Sequence, residues 1–416
     1  MALTYLTIAN IIAKFTRGIV ALFIVYWFGA SSLTDTFFVA FSTIMFLYTL
    51  LSLPFENNII PYICEEQKKG WESLNTFMEN LLSTSIFVCF LILPAALIFL
   101  YFYVNIFIDK HISVKDVLLM FTLFYPFIII SSFNAILRST LNALEFYGLP
   151  TLSIALSSVI LVVASAALST YSGVYGLVMG FVIGEAFSTV FLLYLKRKKF
   201  PLIRIGFSLK IKEAFKELEI LYLNNVNIIS GLTFVWVANF VNISLASHVN
   251  AGAVSIYEYS MRMFYLFSEI YGGLYLYKLI KFSVNPDSVK NLDKLIVKII
   301  LSGLVLIIPI IIYRDVIVSV LLRKATDVNQ IAFTKMLPLF MFGSIAYSAS
   351  QLTTRWFLAI KNTVFLRNTA LIKSLIIILI SYILIKRLGM YGLSISIVIS
   401  EIVTFIILHK KLLRMI

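Results

Sequence analysis

Twelve apolar runs, each about as long as a bilayer is thick, leave this chain few ways to fold. A helix needs roughly 20 mostly apolar residues to cross about 30 Å of hydrocarbon. Runs of that kind fall at residues 5–28, 35–62, 76–106, 116–144, 150–170, 174–195, 219–246, 252–280, 293–313, 331–359, 365–385 and 390–409. In hydrocarbon every backbone N–H and C=O must be satisfied internally, so helices of this length span and irregular segments do not. Only 13% of the 416 residues are charged, against about 25% in soluble domains. The expected fold is all-α and integral to the membrane, with about 12 transmembrane helices. No cleavable leader is expected, because Lys14 and Arg17 interrupt the first run.

The loops set the orientation. The net charge is +14, and the basic residues gather in alternate connections: Lys68 and Lys69, residues 196–216, residues 281–298, Lys361 with Arg367 and Lys373, and Lys410, Lys411 and Arg414. The intervening connections at 29–34, 169–173 and 247–252 hold no Lys or Arg. Lys110 and Lys115, Arg314 with Arg323 and Lys324, and Lys386 with Arg387 are exceptions. Cytoplasmic loops carry the Lys/Arg excess, so both termini are expected in the cytoplasm. The charge thus orients helices and meets anionic lipid; no nucleic acid partner is expected.

The chain is built twice. Tyr175–Gly176–Leu177 and Tyr391–Gly392–Leu393 open the sixth and twelfth runs at an offset of 391 − 175 = 216 residues, and Glu185 and Glu401 keep it. Leu141–Glu145 lies over Phe357–Lys361 at the same spacing. A parallel repeat of this kind predicts an N-lobe over 1–199 and a C-lobe over 218–416, each of six helices. The 200–217 connection between them reads as a basic, amphipathic cytoplasmic linker.

Charges inside the spans are few and costly, about 2.5–3.5 kcal/mol each on insertion scales. Lys14 and Arg17, three residues apart on the first span, are candidates for a cationic cavity that attracts an anion. Glu258 and Arg262 are spaced for an ion pair within one helix, with Arg262 a third candidate cation. Arg138 and Arg355 stand near cytoplasmic helix ends, as interfacial anchors or as guards of an inner mouth. Glu185 and Glu401 are read as structural carboxyls, with a coupling-ion site as the sharper alternative. Asp35 opens the second span and is expected to cap it with Thr34. The two cysteines, Cys64 and Cys89, make no disulfide framework, and His111, His248 and His409 lack metal-ligand spacing. No cofactor and no metal are expected; H+ or Na+ is the candidate coupling ion.

Particular motifs carry a family resemblance. FGASSLTDTFFVAFSTIMFLYTLL (residues 28–51) resembles the TDAFFVAF signature of the lipid II flippases of the MurJ/MviN family. SHVNAGAVSIYEYSMRMFYLF (247–267) is similar to that family's eighth helix, and residues 314–336 to its outer loop before helix ten. The family sits in the MOP exporter superfamily with the O-antigen (Wzx-type) flippases and the MATE antiporters. The resemblance implies a MATE-like fold of two six-helix lobes around a cationic cavity, alternating access, and a bacterial cytoplasmic-membrane location. By position, Lys14 matches a cavity arginine, Asp35 the motif aspartate and Arg262 the helix-eight arginine. Other family positions differ: Val20, Tyr48 and Thr49 stand where arginines are found, Met261 stands for an aspartate, and LPFENNIIP (53–61) replaces a characteristic segment.

The expected function is therefore transport. The leading expectation is a flippase for an undecaprenyl-diphosphate-linked oligosaccharide, an O-antigen or capsule repeat unit. The departures above favour it over lipid II, which is the first alternative; a MATE-like cation-coupled drug antiporter is the second. An enzyme is not expected, since no nucleophile–base constellation is present. The partners implied are the lipid-linked glycan, the bilayer and, as a candidate, polysaccharide assembly machinery.

Overall fold

A computed structural model of the chain describes the backbone of residues 2–52, 59–144, 146, 148–206, 225–269, 271, 274–275, 278 and 292–415. The described residues form fourteen helices and no strands. They are α1 (Ala2–Phe28), α2 (Ser32–Leu51), α3 (Ile60–Lys69), α4 (Trp71–Phe107), α5 (Val114–Ala143), α6 (Leu149–Ser172) and α7 (Val174–Lys199). Then come α8 (Val226–Ser247), α9 (Ala253–Glu269), α10 (Leu292–Ile312), α11 (Arg314–Leu321), α12 (Asp327–Ala359), α13 (Thr363–Leu388) and α14 (Met390–Leu413).

Ten of these are long and apolar enough to cross a membrane. The other two expected spans correspond to α1 and to α9, which has 17 residues. One boundary moves. The second run was expected to reach residue 62, but α2 ends at Leu51 and a separate short helix, α3, begins at Ile60; residues 53–58 lie outside the described residues. Pro61 at the start of α3 explains the new beginning, since proline is pre-set for the first turn of a helix. The eighth run was expected to reach residue 280, and its helix is described to Glu269. The amphipathic linker was expected at 200–217, of which 207–217 lie outside the described residues.

The helices divide into two compact units. One holds Met1–Val20, Val39–Phe107 and Ser113–Val226; the other holds Ala21–Phe38, Ile108–Ile112 and Asn227–Ile416. In the first, α3, α4 and α5 enclose Ile63, Met78, Leu81 and Ile136. In the second, α10, α12 and α14 enclose Ile296, Leu352, Trp356, Phe357 and Leu408. Outward faces stay apolar: Phe90, Leu91, Ile98 and Ile106 on α4 are exposed. That pattern suits lipid as the solvent, since the same residues facing water would form a large sticky patch.

The 216-residue repeat extends into backbone geometry. Gly173 and Gly389 (389 − 173 = 216) are the single residues joining α6 to α7 and α13 to α14, with φ of 57° and 56° and ψ of −132° and −141°. Those values are open to glycine and costly for other residues. Three residues later each hairpin closes tightly. A Cβ on Gly176 would lie 2.5 Å from the Ser169 backbone nitrogen, and one on Gly392 would lie 2.8 Å from the Leu384 backbone. Helices α5 and α12 also end alike: Phe146 N donates to Leu141 O at 3.0 Å, and Asn362 N to Phe357 O at 2.9 Å.

Gly173→Ala and Gly389→Ala should each destabilise the protein by about 1–3 kcal/mol. Thermal unfolding of the full chain in detergent checks this; similar drops mark the two turns as equivalent, and no drop in either removes the strain argument.

Candidate functional site

Asp35 has no solvent exposure, and its carboxylate is fully used. Sequence reasoning assigned it to the start of its own helix. That start is instead closed by Ser31 and Thr34: the Ser31 hydroxyl accepts from Thr34 N at 3.3 Å, and Thr34 Oγ1 accepts from Ser31 N at 2.7 Å. The Asp35 carboxylate is thereby released to cap a different helix. Oδ2 accepts from Gly252 N at 2.7 Å, while Oδ1 accepts from Ser255 N at 2.7 Å and from Ser255 Oγ at 2.6 Å. These are the orphan donors at the N-terminus of α9, where the helix dipole also favours a negative charge.

Neighbouring contacts fix the same corner of the second unit. Tyr259 of α9 donates its hydroxyl to Gly29 O at 2.5 Å and packs edge-on against Phe38. Asn329 of α12 donates to Ala251 O at 3.1 Å and accepts from Asn250 at 2.8 Å. Lys324 donates to Trp27 O at 2.6 Å. This accounts for one exception to the loop-charge rule, because the ammonium serves the last carbonyls of α1. His111 Nε2 lies 3.5 Å from Asp35 Oδ2, with Nδ1 2.9 Å from Asp109 Oδ1. The bond to Asp35, helped by Asp109 and opposed by partial burial, raises the His111 pKa above its ordinary 6.5.

Arg262 and Glu258 lie on α9, one turn apart and within electrostatic reach. The Arg262 guanidinium stands 5.2 Å from the Phe38 ring centre, a cation–π distance, and Glu258 is buried. The helix capped by Asp35 is therefore the one that carries Arg262. The side chains of Lys14 and Arg17 lie outside the described residues. Where the resembled family has further arginines, Val20 and Thr49 are buried and Tyr48 packs on Phe127.

The remaining candidates form two charge networks. In the first unit, Arg138 Nη1 lies 3.6 Å from Glu185 Oε1, both nearly buried. Glu185 also accepts from Asn134 Nδ2 at 2.9 Å and from Ser157 Oγ at 3.0 Å. Arg138 is thus a buried partner of an acid, not a surface anchor. In the second unit, Lys373 Nζ lies 2.6 Å from Glu401 Oε1. Sequence analysis counted Lys373 among loop cations, yet it stands within α13 and is nearly buried. A signal existed: Lys373 is 216 residues after Ser157, itself a partner of Glu185. Arg355 is half-buried near the end of α12, within electrostatic reach of Tyr347 and Tyr275.

Two outcomes test this geometry. Asp35→Ala should lower stability by up to about 2 kcal/mol, the upper range for a lost cap, measured by thermal unfolding. The His111 contribution should be fully present below pH 6.5 and fade as pH rises through its raised pKa. An unfolding midpoint whose pH dependence is unaltered in His111→Gln would contradict that coupling.

Comparison with known proteins places this geometry. A family model described as lipid II flippase MurJ matches residues 24–415. A probable lipid II flippase MurJ of Buchnera aphidicola subsp. Baizongia pistaciae (strain Bp) is 23% identical over 436 residues, spanning 99% of this chain and 82% of the relative. Among solved structures, a lipid II flippase MurJ in an inward closed conformation aligns with a TM-score of 0.79 at 20% identity, over 98% of this chain and 87% of its own. An inward-facing multidrug resistance MATE family transporter of the MOP superfamily aligns at 0.74 and 16% identity, over 96% and 92%. The fold is the MOP fold, the chain is a multi-pass inner-membrane transporter and not an enzyme, and it belongs to the lipid II flippase MurJ family.

Proposed function

We propose that this chain carries lipid II, the peptidoglycan precursor, across the cytoplasmic membrane. The observation that carries the reading is the family match over residues 24–415, which favours the first alternative of the sequence analysis over its leading expectation. Chemistry supports it. A diphosphate enters a low-dielectric site only if cations compensate it, because an unpaired buried charge costs several kcal/mol. Lys14, Arg17 and Arg262 are assigned that task. Asp35, by capping α9, positions the helix on which Arg262 stands, and Glu258 tempers its charge.

In this reading residues 1–199 and 218–416 act as the two halves of an alternating-access cycle, joined by the 200–217 linker, with both termini in the cytoplasm. The diphosphate is held by protein cations while the polyprenyl tail stays in lipid. One set of observations favours a second cargo, an undecaprenyl-diphosphate-linked O-antigen or capsule unit. The resembled family's arginine positions are occupied here by Val20, Tyr48 and Thr49, of which Val20 and Thr49 are buried in packing.

Complementation separates the readings. In cells depleted of their own lipid II flippase, this chain should restore growth and clear accumulated lipid II. Arg262→Glu should abolish rescue at unchanged membrane abundance. Rescue by Arg262→Glu removes that residue from the site. Failure of the unaltered chain to rescue, with restored O-antigen in a strain lacking its O-antigen flippase, assigns the second cargo.

A further inference from the structure

The Asp35 carboxylate has room for one more donor, and a histidine stands there. An ionised carboxylate accepts about four hydrogen bonds. The start of α9 supplies three of them, from Gly252 N, Ser255 N and Ser255 Oγ. His111 Nε2 approaches Oδ2 at 3.5 Å. The other ring nitrogen, Nδ1, lies 2.9 Å from Asp109 Oδ1. His111 thus stands between two groups that only accept. A neutral imidazole carries one N–H, so it donates to one carboxylate and turns a lone pair to the other. An imidazolium donates to both. The unequal distances fit a single proton on the Asp109 side, with the longer approach to Asp35 open to a second.

Position decides what that second proton does. Asp109 and His111 lie in the turn between α4 and α5, where Asp109 Oδ1 also accepts from His111 N at 3.1 Å. Asp109 N donates to Ser247 Oγ at 3.1 Å, at the end of α8. The turn and the start of α2 come from the first sequence repeat, and α8 and α9 from the second, yet all fall in one compact unit. His111 links two first-repeat elements, each of which grips the second repeat. Its side chain is 23% exposed while that of Asp35 is wholly buried, so solvent protons reach the histidine and not the acid. In the orientation proposed above, this end of the molecule faces outward.

The charged groups that face His111 are Asp35 from α2 and Asp109 from its own turn. At the end of α8, His248 lies within electrostatic reach of Asp109, its Nδ1 2.8 Å from Ser244 O. From α9, Tyr259 reaches Asp35 and holds its hydroxyl on Gly29 O. The bond to Asp35, with help from Asp109 and against partial burial, raises the His111 pKa above 6.5. Protonation and the bond to Asp35 therefore favour each other.

We propose that His111 is an acid-operated clasp of the outer face: taking a second proton from the outside solution, it ties the α4–α5 turn to Asp35, holds the start of α9 in place and slows transport. The effect on transport rests on the function proposed above; the clasp itself does not.

Amide hydrogen exchange of the full chain in detergent reads the clasp directly, because Gly252 N and Ser255 N exchange only after leaving Asp35. Protection factors, which remove the ordinary pH dependence of exchange, should rise at both amides by about fivefold from about pH 9 to about pH 6, the lower end of couplings between linked sites. In His111→Gln, whose amide does not titrate, they should stay level. His248→Gln should respond as the unaltered chain does. A flat profile in the unaltered chain, a response that persists in His111→Gln, or one that disappears in His248→Gln overturns the proposal. In proteoliposomes holding lipid II, with one pH on both sides, flipping should slow by about fivefold over the same range and hold steady in His111→Gln. Flipping that ignores pH while the amides respond overturns the regulatory role. A chain that flips no lipid II at any pH, yet shows the amide response, keeps the clasp and rejects the transport reading.

Discussion

A charge inside hydrocarbon has to find a counter-charge within the protein, and here two such pairs join neighbouring helices. Water is absent there to share the cost, and breaking a buried pair costs about 3–5 kcal/mol. Glu185 ties α5, α6 and α7 together through Arg138, Asn134 and Ser157. Glu401 ties α13 to α14 through Lys373. The acid stays in place across the repeat while the base moves to another helix. Small residues support both arrangements. Gly180 passes close against Ser165 in one hairpin, and the equivalent Ser396 and Ser381 share a hydrogen bond of 2.7 Å in the other.

Around that interior the chain shows what each half is free to vary. The hairpin turns at Gly173 and Gly389 differ by one degree in φ, because the backbone there has one inexpensive solution. The charged pairs differ because several helices can deliver a cation to one carboxylate. Duplication therefore preserved geometry more strictly than chemistry. The departures in chemistry, Lys373 for a serine and Arg355 beside a threonine position, are where the two repeats differ.

Much of this was legible from residues alone. Apolar length gave the spans, and the constant offset from Tyr175 to Tyr391 and from Glu185 to Glu401 gave the repeat that the backbone repeats in detail. The resemblance at residues 28–51 gave the family. Other features were hidden because they depend on distance in sequence. Nothing local distinguishes an aspartate that caps its own helix from one that caps a helix more than two hundred residues later. Ser31 and Thr34 satisfy the nearer role, which became clear only with the hydrogen bonds in view. Arg138 read as an anchor because helix ends usually host anchors; its burial against Glu185 is a tertiary fact. The break between α2 and α3 was obscured by uniformly apolar flanks, although Pro61 marked where a helix could begin.

The cap that Asp35 places on α9 also bears on how the protein is made. Helix α9 carries Glu258 and Arg262, charges that make it a weak candidate for insertion by itself. Its first turn becomes satisfied only when Gly252 and Ser255 meet a carboxylate that left the ribosome some 217 residues earlier. Until then that carboxylate lacks the donors that settle it in its buried site. The hydrogen bonds of Asp35 are therefore complete only in a chain that extends through Ser255.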